Sequence, residues 1–262
     1  MSSQDCRSYP ILTYAGGSFQ QRDDLVVVEH ELTIHLNGNK FISLLCTPRS
    51  LPELVVGFLH AEGIIESNAD VKDLCIDANG DQAYVQLHGA KPDLDLQVRT
   101  VTTAGGLGGK TLQAGVSRSD HSASGNAVAL DPVRICQMME EFSRRSELFV
   151  KTGGAHSCAL SDGNDILFFE DDIGRHNALD KIIGHTLLRN MEPGDKIILT
   201  SGRVSSEIVS KVYSRGMGAV VSRSAPTSRA IDLAQSVGMT LVGFTRGQSM
   251  NVYANCTGLT VL

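Results

Sequence analysis

The sequence predicts an α/β protein, with a small α+β part followed by a half in which strands and single helices alternate. Three observations predict this. From about residue 126 the apolar, β-branched runs Ile166–Glu170, Lys196–Thr200, Ala219–Ser222 and Met239–Phe244 are separated by the helical stretches Arg175–Arg189, Ser205–Arg215 and Thr227–Val237. That order describes crossover units and a largely parallel sheet. The first half instead carries two Asn-Gly turns, at Asn37-Gly38 and Asn79-Gly80, each between alternating runs, the pattern of β-hairpins. Between the halves, residues 104–125 are rich in Gly, Ser and Ala. A connection of that length and composition is the best candidate boundary.

Taken in order, residues 1–20 read as a flexible arm, residues 21–125 as an N-terminal α+β domain ending in a Gly/Ser-rich mobile loop, and residues 126–262 as a second, ligand-binding domain. Leu25–Val28 and Glu31–Leu36 alternate as strands, and the turn at Asn37-Gly38 leads into Phe41–Cys46. Ser50 is the expected N-cap of a helix, with Glu53 closing a capping box and Pro52 tolerated in the first turn. Leu54, Phe58 and Leu59 share one face of it. Val71–Asp77 and Ala83–His88 form a second hairpin, and Leu96–Thr102 another strand. Asp131-Pro132 caps a helix that runs to about Ser146.

Composition narrows the function classes. A net charge of −6 over 262 residues argues against a whole-surface nucleic-acid binder, so any anion site is a local patch. The six cysteines, Cys6, Cys46, Cys75, Cys136, Cys158 and Cys256, lie far apart with no Cys-x-x-Cys pair, which disfavours a zinc ribbon and a disulfide scaffold. No basic-apolar leader and no membrane-length apolar run are present, so the expected setting is cytoplasmic, with no membrane partner.

The strongest chemical signal is a recurrence. Ile198-Leu-Thr-Ser-Gly-Arg203-Val-Ser-Ser206 runs from a strand end through Gly202 into a helix start, where free N–H groups and the helix dipole favour an anion. Ser201, Ser205 and Ser206 add hydroxyls, and Arg203 a forked cation. Val221-Ser-Arg223-Ser-Ala-Pro-Thr227 repeats the ingredients, and Gly243-Phe-Thr-Arg246-Gly-Gln-Ser249 ends the last strand. Loops after consecutive parallel strands share the edge where open α/β folds bind ligands. Taken singly, Ser205 and Thr227 read as ordinary N-caps. Three arginines at one topological place favour a phosphate-rich ligand.

Three further segments carry candidate chemistry. In Glu170-Asp-Asp-Ile-Gly-Arg175-His-Asn-Ala-Leu-Asp180-Lys181, His176 and Asp180 are four apart and share a helix face. Asp180 could orient the His176 ring, or the two could be a local pair without chemistry. In Thr152-Gly-Gly-Ala-His-Ser-Cys158, His156 and Cys158 could act together, though a structural Cys158 is the better reading. With no Cys-x-x-Cys, a zinc deaminase is disfavoured. Thr102-Thr-Ala-Gly-Gly-Leu-Gly-Gly-Lys110 has glycines one residue too close for a nucleotide-binding Walker loop, which disfavours an NTPase.

Together these segments resemble the formate dehydrogenase accessory sulfurtransferase (FdhD) family over residues 25–255. The resemblance is carried by Leu32-Thr-Ile-His-Leu-Asn-Gly38, Thr47-Pro48 and Gly57-Phe-Leu-His-Ala-Glu-Gly-Ile-Ile65 in the first half. It continues through Thr152-Gly-Gly-Ala-His156, Asp172–Lys181, Ser201–Glu207, Ser224–Thr227, Phe244–Gly247 and Asn251-Val-Tyr253. It implies a cytidine-deaminase-like α/β second domain and a homodimer. It also implies sulfur passage from a cysteine desulfurase to the bis(molybdopterin guanine dinucleotide) molybdenum cofactor, destined for formate dehydrogenase. The cofactor's guanine nucleotide ends, for which GDP is a fragment mimic, would lie against the second half. Phe244, Thr245, Arg246, Gly247, Gln248 and Ser249 are similar to the family's cofactor-binding stretch. With the residues singled out above, the expected binding set also includes Ser201, Gly202, Arg203, Ser205, Ser206, Arg223, His156, Arg175, His176, Asp180 and Lys181. The sequence departs from the family at the loop whose Cys-Gly-x-Cys-Gly bears the persulfide. Gly105 and Gly108 occupy both sulfur positions here, and glycine has no side chain to carry sulfur. The expectation is therefore cofactor binding and delivery without persulfide transfer at this loop. The alternatives are sulfur transfer through another thiol, such as Cys158 or Cys256, or a guanine-nucleotide-binding hydrolase.

Overall fold

The computed structural model describes residues 5–89, 99–100 and 130–255, the pair 99–100 by backbone alone. Residues placed as a flexible arm form instead a two-stranded ribbon, β1 (Cys6–Ala15) against β2 (Ser18–Val27). The signal was Gly16-Gly17. Both take positive φ, 59° and 86°, as a two-residue turn matched to strand twist requires.

The first sheet has the order β5-β6-β3-β4-β7, built from β3 (His30–Leu36), β4 (Asn39–Cys46), β5 (Val71–Ile76), β6 (Gln82–Leu87) and β7 (Arg99–Thr100). Both Asn-Gly hairpins form as expected. Helix α1 (Leu51–Ala61) follows β4, but Ser50 does not cap it. Its backbone is left-handed (φ 50°), and its hydroxyl donates to Glu170 Oε1 at 2.6 Å. A buried carboxylate in the second sheet outcompetes the local cap.

The second half contains α2 (Pro132–Arg145), α3 (Glu147–Thr152), β8 (His156–Ser161), β9 (Ile166–Asp172), α4 (Arg175–Leu188), β10 (Ile197–Thr200), α5 (Ser206–Ser214), β11 (Ala219–Ser222), α6 (Ser228–Ser236), β12 (Thr240–Arg246) and β13 (Ser249–Ala254). Asp131 caps α2 as expected, accepting from Val133 N at 2.9 Å. The sheet order is β13-β12-β11-β10-β8-β9. Only β10, β11 and β12 run parallel, while β8, β9 and β13 are antiparallel to their neighbours. The expected largely parallel sheet is therefore mixed. Short connections let β8–β9 and β12–β13 pair as hairpins at both margins.

The two sheets share one core. Leu32, Ile34 and Leu44 of the first sheet, Leu54 and Leu59 of α1, Ile182 and Ile183 of α4, and Ile208 and Val212 of α5 belong to a single apolar cluster. Helices α1 and α4 cross at two glycines. A Cβ on Gly57 would lie 1.8 Å from the Asp180 carbonyl oxygen, and one on Gly184 would lie 1.9 Å from that of Glu53. Only hydrogen fits at either place, and that closeness sets how tightly α1 and α4 pack. Among the described residues no helix is long and apolar enough to cross a membrane.

Candidate functional site

The C-terminal ends of β10, β11 and β12 meet at one edge, and hydrogen bonds stitch the following segments together. Val204 N donates to Ala225 O (3.1 Å), Thr227 N to Val204 O (2.9 Å) and Phe244 N to Ser224 O (3.2 Å). The small hydroxyls are used in this stitching: Ser222 Oγ donates to Gly202 O (2.8 Å) and Ser224 Oγ to Ser201 O (2.9 Å), while Ser201 Oγ accepts from Ser157 N (2.9 Å). Arg203 and Arg246 are exposed and Arg223 half-buried. Arg246 Nε donates to Arg223 O at 3.1 Å, which draws the last two segments together. The arginine ion pairs among the described residues use Arg22, Arg49, Arg144 and Arg145, so these three guanidinium groups keep their charge for another partner.

The third segment differs from the first two. No helix follows β12. Gly247 (φ 56°) turns the chain straight into β13, and Arg246 and Ser249 face each other across that turn. A register irregularity between Gly243 and Arg246 puts Phe244 at φ 52°, a strained conformation for an aromatic residue, and leaves the residue 42% exposed. Gly243 is required there, because a Cβ would meet Ser224 O at 2.9 Å and Pro226 Cδ at 3.0 Å. Thr245, expected to bind, is fully buried, and its hydroxyl has no hydrogen-bond partner. Gln248 and Ser249 are exposed.

The start of α4 borders this edge. Arg175 lies across Gly202, where an added Cβ would sit 3.1 Å from its Cβ and Cδ. The Arg175 Nε and Ser205 Oγ atoms are buried without hydrogen-bond partners. Ser205 thus sits at the N-cap position of α5 without capping it, whereas Thr227 is an ordinary cap, accepting from Ala230 N at 3.3 Å. Burial, and then the charge of Arg175, push His156 below the usual histidine range, so it is neutral near pH 7. His176 is 2% exposed, and its Nδ1 lies 3.1 Å from Glu207 Oε1. Burial alone would raise Glu207, but the adjacent His176 and the charges of Lys211 and Arg175 hold it below the ordinary carboxylate range. Sequence reasoning missed Glu207, 31 positions from its partner. The available signal was its place in the first turn of α5, beside Ser205.

Two expected binding residues belong to the interior. Asp180 does not pair with His176; both its oxygens take the Lys211 ammonium at 2.7 and 2.8 Å. Burial disfavours the Lys211 charge, but the Asp180 carboxylate more than restores it, and its pKa lies above the usual lysine value. Lys181 is fully buried, 2.7 Å from Asp172 Oδ2 and 2.7 Å from Thr47 Oγ1. It joins the two halves of the chain and is out of reach of any ligand. Cys158 is 1% exposed, and burial drives its thiol far up, so it is no nucleophile. Gly105, Gly108 and Cys256 lie outside the described residues.

The model of the FdhD/NarQ family matches residues 27–259. The chain belongs to the FdhD/NarQ family. Its relatives include the sulfur carrier protein FdhD of Geobacillus kaustophilus, 38% identical over 260 residues and covering 97% of each chain. The protein of the same name from Bacillus subtilis is 38% identical over 247 residues, covering 92% of this chain and 93% of its own. Among solved structures, one described as a formate dehydrogenase accessory protein from Desulfotalea psychrophila superposes with a TM-score of 0.77. It is 23% identical and covers 97% of this chain and 99% of the other, a likeness of fold.

Proposed function

We propose that the chain is a formate dehydrogenase accessory protein that holds the bis(molybdopterin guanine dinucleotide) molybdenum cofactor as cargo. In this reading it supports the cofactor's sulfuration and delivery to formate dehydrogenase without persulfide transfer of its own at the Gly105–Gly108 loop. One observation carries the reading: three guanidinium groups, outside any ion pair among the described residues, stand on segments stitched to a single sheet edge, with an exposed aromatic residue beside them. The cargo's dinucleotide tail is polyanionic and ends in a flat base. Arg203, Arg223 and Arg246 suit its phosphates, the unpartnered Ser205 hydroxyl can donate to them, and Phe244 offers the base a stacking face. The molybdenum chemistry belongs to the cargo; the chain's part is to bind and orient. The relatives named as sulfur carriers support the place in the route, with a cysteine desulfurase upstream, and a homodimer with a cytidine-deaminase-like second layer completes the proposal.

Transfer through Cys158 is opposed by its burial. A zinc hydrolase is opposed by the lack of any cluster of three metal-ligating side chains among the described residues. The test is thermal. GDP at millimolar concentration should raise the melting temperature, because a ligand that binds only the folded state stabilises it. R203A and R246A should each remove most of that rise. No rise with wild-type protein would refute the reading.

A further inference from the structure

Half of the large apolar residues exposed among the described ones stand on the β1–β2 ribbon: Tyr9, Leu12, Tyr14, Phe19, Leu25 and Val26. The sheet to which they belong has only these two strands. Within the chain the ribbon is held at its root, where α3 packs on β2 and a Cβ on Gly154 would stand 2.6 Å from Val27 Cγ1. A two-stranded ribbon without further support is marginal in water. Resting on the homodimer of the proposed function, we propose that one face of this ribbon packs against the same face of a second copy of the chain and forms the dimer contact.

Successive residues of a strand alternate between its two faces. The register sets Tyr14 opposite Phe19 and Ser8 opposite Leu25, so Leu12 and Tyr14 of β1 share a face with Phe19 and Leu25 of β2. The Tyr14 and Phe19 rings lean on each other, with centroids 5.2 Å apart. Tyr14 is 65% exposed and Phe19 71%. An aromatic side chain presents roughly 200 Å², so about 130 Å² of each stays in water. With Leu12 (64% exposed) and Leu25 (38%), the face offers on the order of 400 Å² of apolar surface. An interface of standard size takes about 800 Å² from each partner, a little over half of it apolar. One ribbon face thus supplies the apolar share that a stable dimer needs. Charge favours a second copy as the occupant. The whole chain carries −6, so two copies repel where their acidic surfaces meet. The ribbon is locally neutral, with Arg7 and Arg22 balancing Asp23 and Asp24. Using the same face on both chains closes a two-fold pair. Pro10 in β1 and the charges of β2 make the strand edges poor templates for further strands, which keeps the association closed.

The experiment uses the full chain in sedimentation equilibrium. Wild-type protein should give twice the chain mass of 28.1 kDa. The double variant L12S/F19S changes two exposed side chains and leaves both cores intact. Its self-association should be weaker by about tenfold or more. The chain has no Trp, so F19W places a lone fluorophore on the proposed contact and keeps an aromatic ring there. In the dimer its emission should be blue-shifted from that of free tryptophan and shielded from acrylamide. If L12S/F19S fails to fold, F19W decides. A dimeric F19W with water-like emission and full quenching overturns the contact, as does an L12S/F19S that dimerises as tightly as wild type. In either case the homodimer stands on another surface. Wild-type protein that is monomeric at every concentration removes the homodimer and this contact together.

Discussion

Replacing Gly57 by alanine places a methyl carbon where the α1–α4 crossing has no room for one. The new Cβ would stand 1.8 Å from the Asp180 carbonyl oxygen and 2.6 Å from its carbon. Both are backbone atoms of a buried helix, so no side chain can swing aside. Relief requires the helices to separate by roughly 1.5 Å, which opens the apolar seam between Leu54, Leu59, Ile182 and Ile183, where dispersion falls steeply with distance. Overpacking of this kind costs about 3 kcal/mol, of which helix propensity returns about 1 kcal/mol. The net loss should be about 2 kcal/mol or more in urea unfolding with linear extrapolation. Gly184→Ala makes the reciprocal clash, 1.9 Å from the Glu53 carbonyl oxygen, and should cost as much. One separation relieves both clashes, so the double variant should lose less than the two single losses added, by about 1 kcal/mol. Gly194→Ala, with nothing within 4 Å, is the control and should be near neutral. If G57A and G184A unfold at the same urea concentration as G194A, the tight crossing is not a feature of the molecule.

Removing the buried cation by Lys181→Met leaves the fully buried Asp172 charge without its ammonium and should cost about 3–5 kcal/mol. The pair D172N with K181M should recover much of that loss in the same unfolding assay. His60 is driven down to about 4 by burial and then by the charge of Arg215. The folded state therefore binds fewer protons than the unfolded one between pH 4 and 6.5, and stability must fall as pH drops through that window. The loss approaches about 3 kcal/mol below pH 4; H60Q should flatten that slope in unfolding titrations, and an unchanged slope would refute the assignment. The exposed Cys75 should react with a maleimide in the native protein. Cys46, pushed up to about 12 mainly by burial, and Cys158 should react only after unfolding, as read by mass spectrometry.

Local chemistry made much of the scaffold legible. The Asn37-Gly38 and Asn79-Gly80 turns, the Asp131 cap of α2 and the alternation of strands with α4, α5 and α6 all follow from residues close together in sequence. The arm at the start was misjudged because its polar composition outweighed the Gly16-Gly17 turn at its centre. The hairpin strand after the last Arg-bearing loop went unread, because Gly247, the corner of that hairpin, stands among polar residues with no alternating run long enough to announce a strand. At the site, topology foresaw that the three arginine-bearing segments share one sheet edge, whereas the partners of the buried charges were not foreseen. His176 and Asp180 share a helix face, yet each binds a residue of α5.

By itself the sequence determined the family, the two central hairpins, the alternation of strands and helices from α4 to β12, and the sheet edge that the Arg203, Arg223 and Arg246 segments share, because periodicity, caps and turns act over a few residues. Only the tertiary structure decided which ionisable groups stay open to a ligand and which are consumed inside. Lys181 looked like a ligand-binding cation but lies buried on Asp172, and Ser50 looked like a cap but serves Glu170. The physical reason is that a buried charge or hydroxyl must find a partner, and in a folded chain that partner can lie more than a hundred residues away.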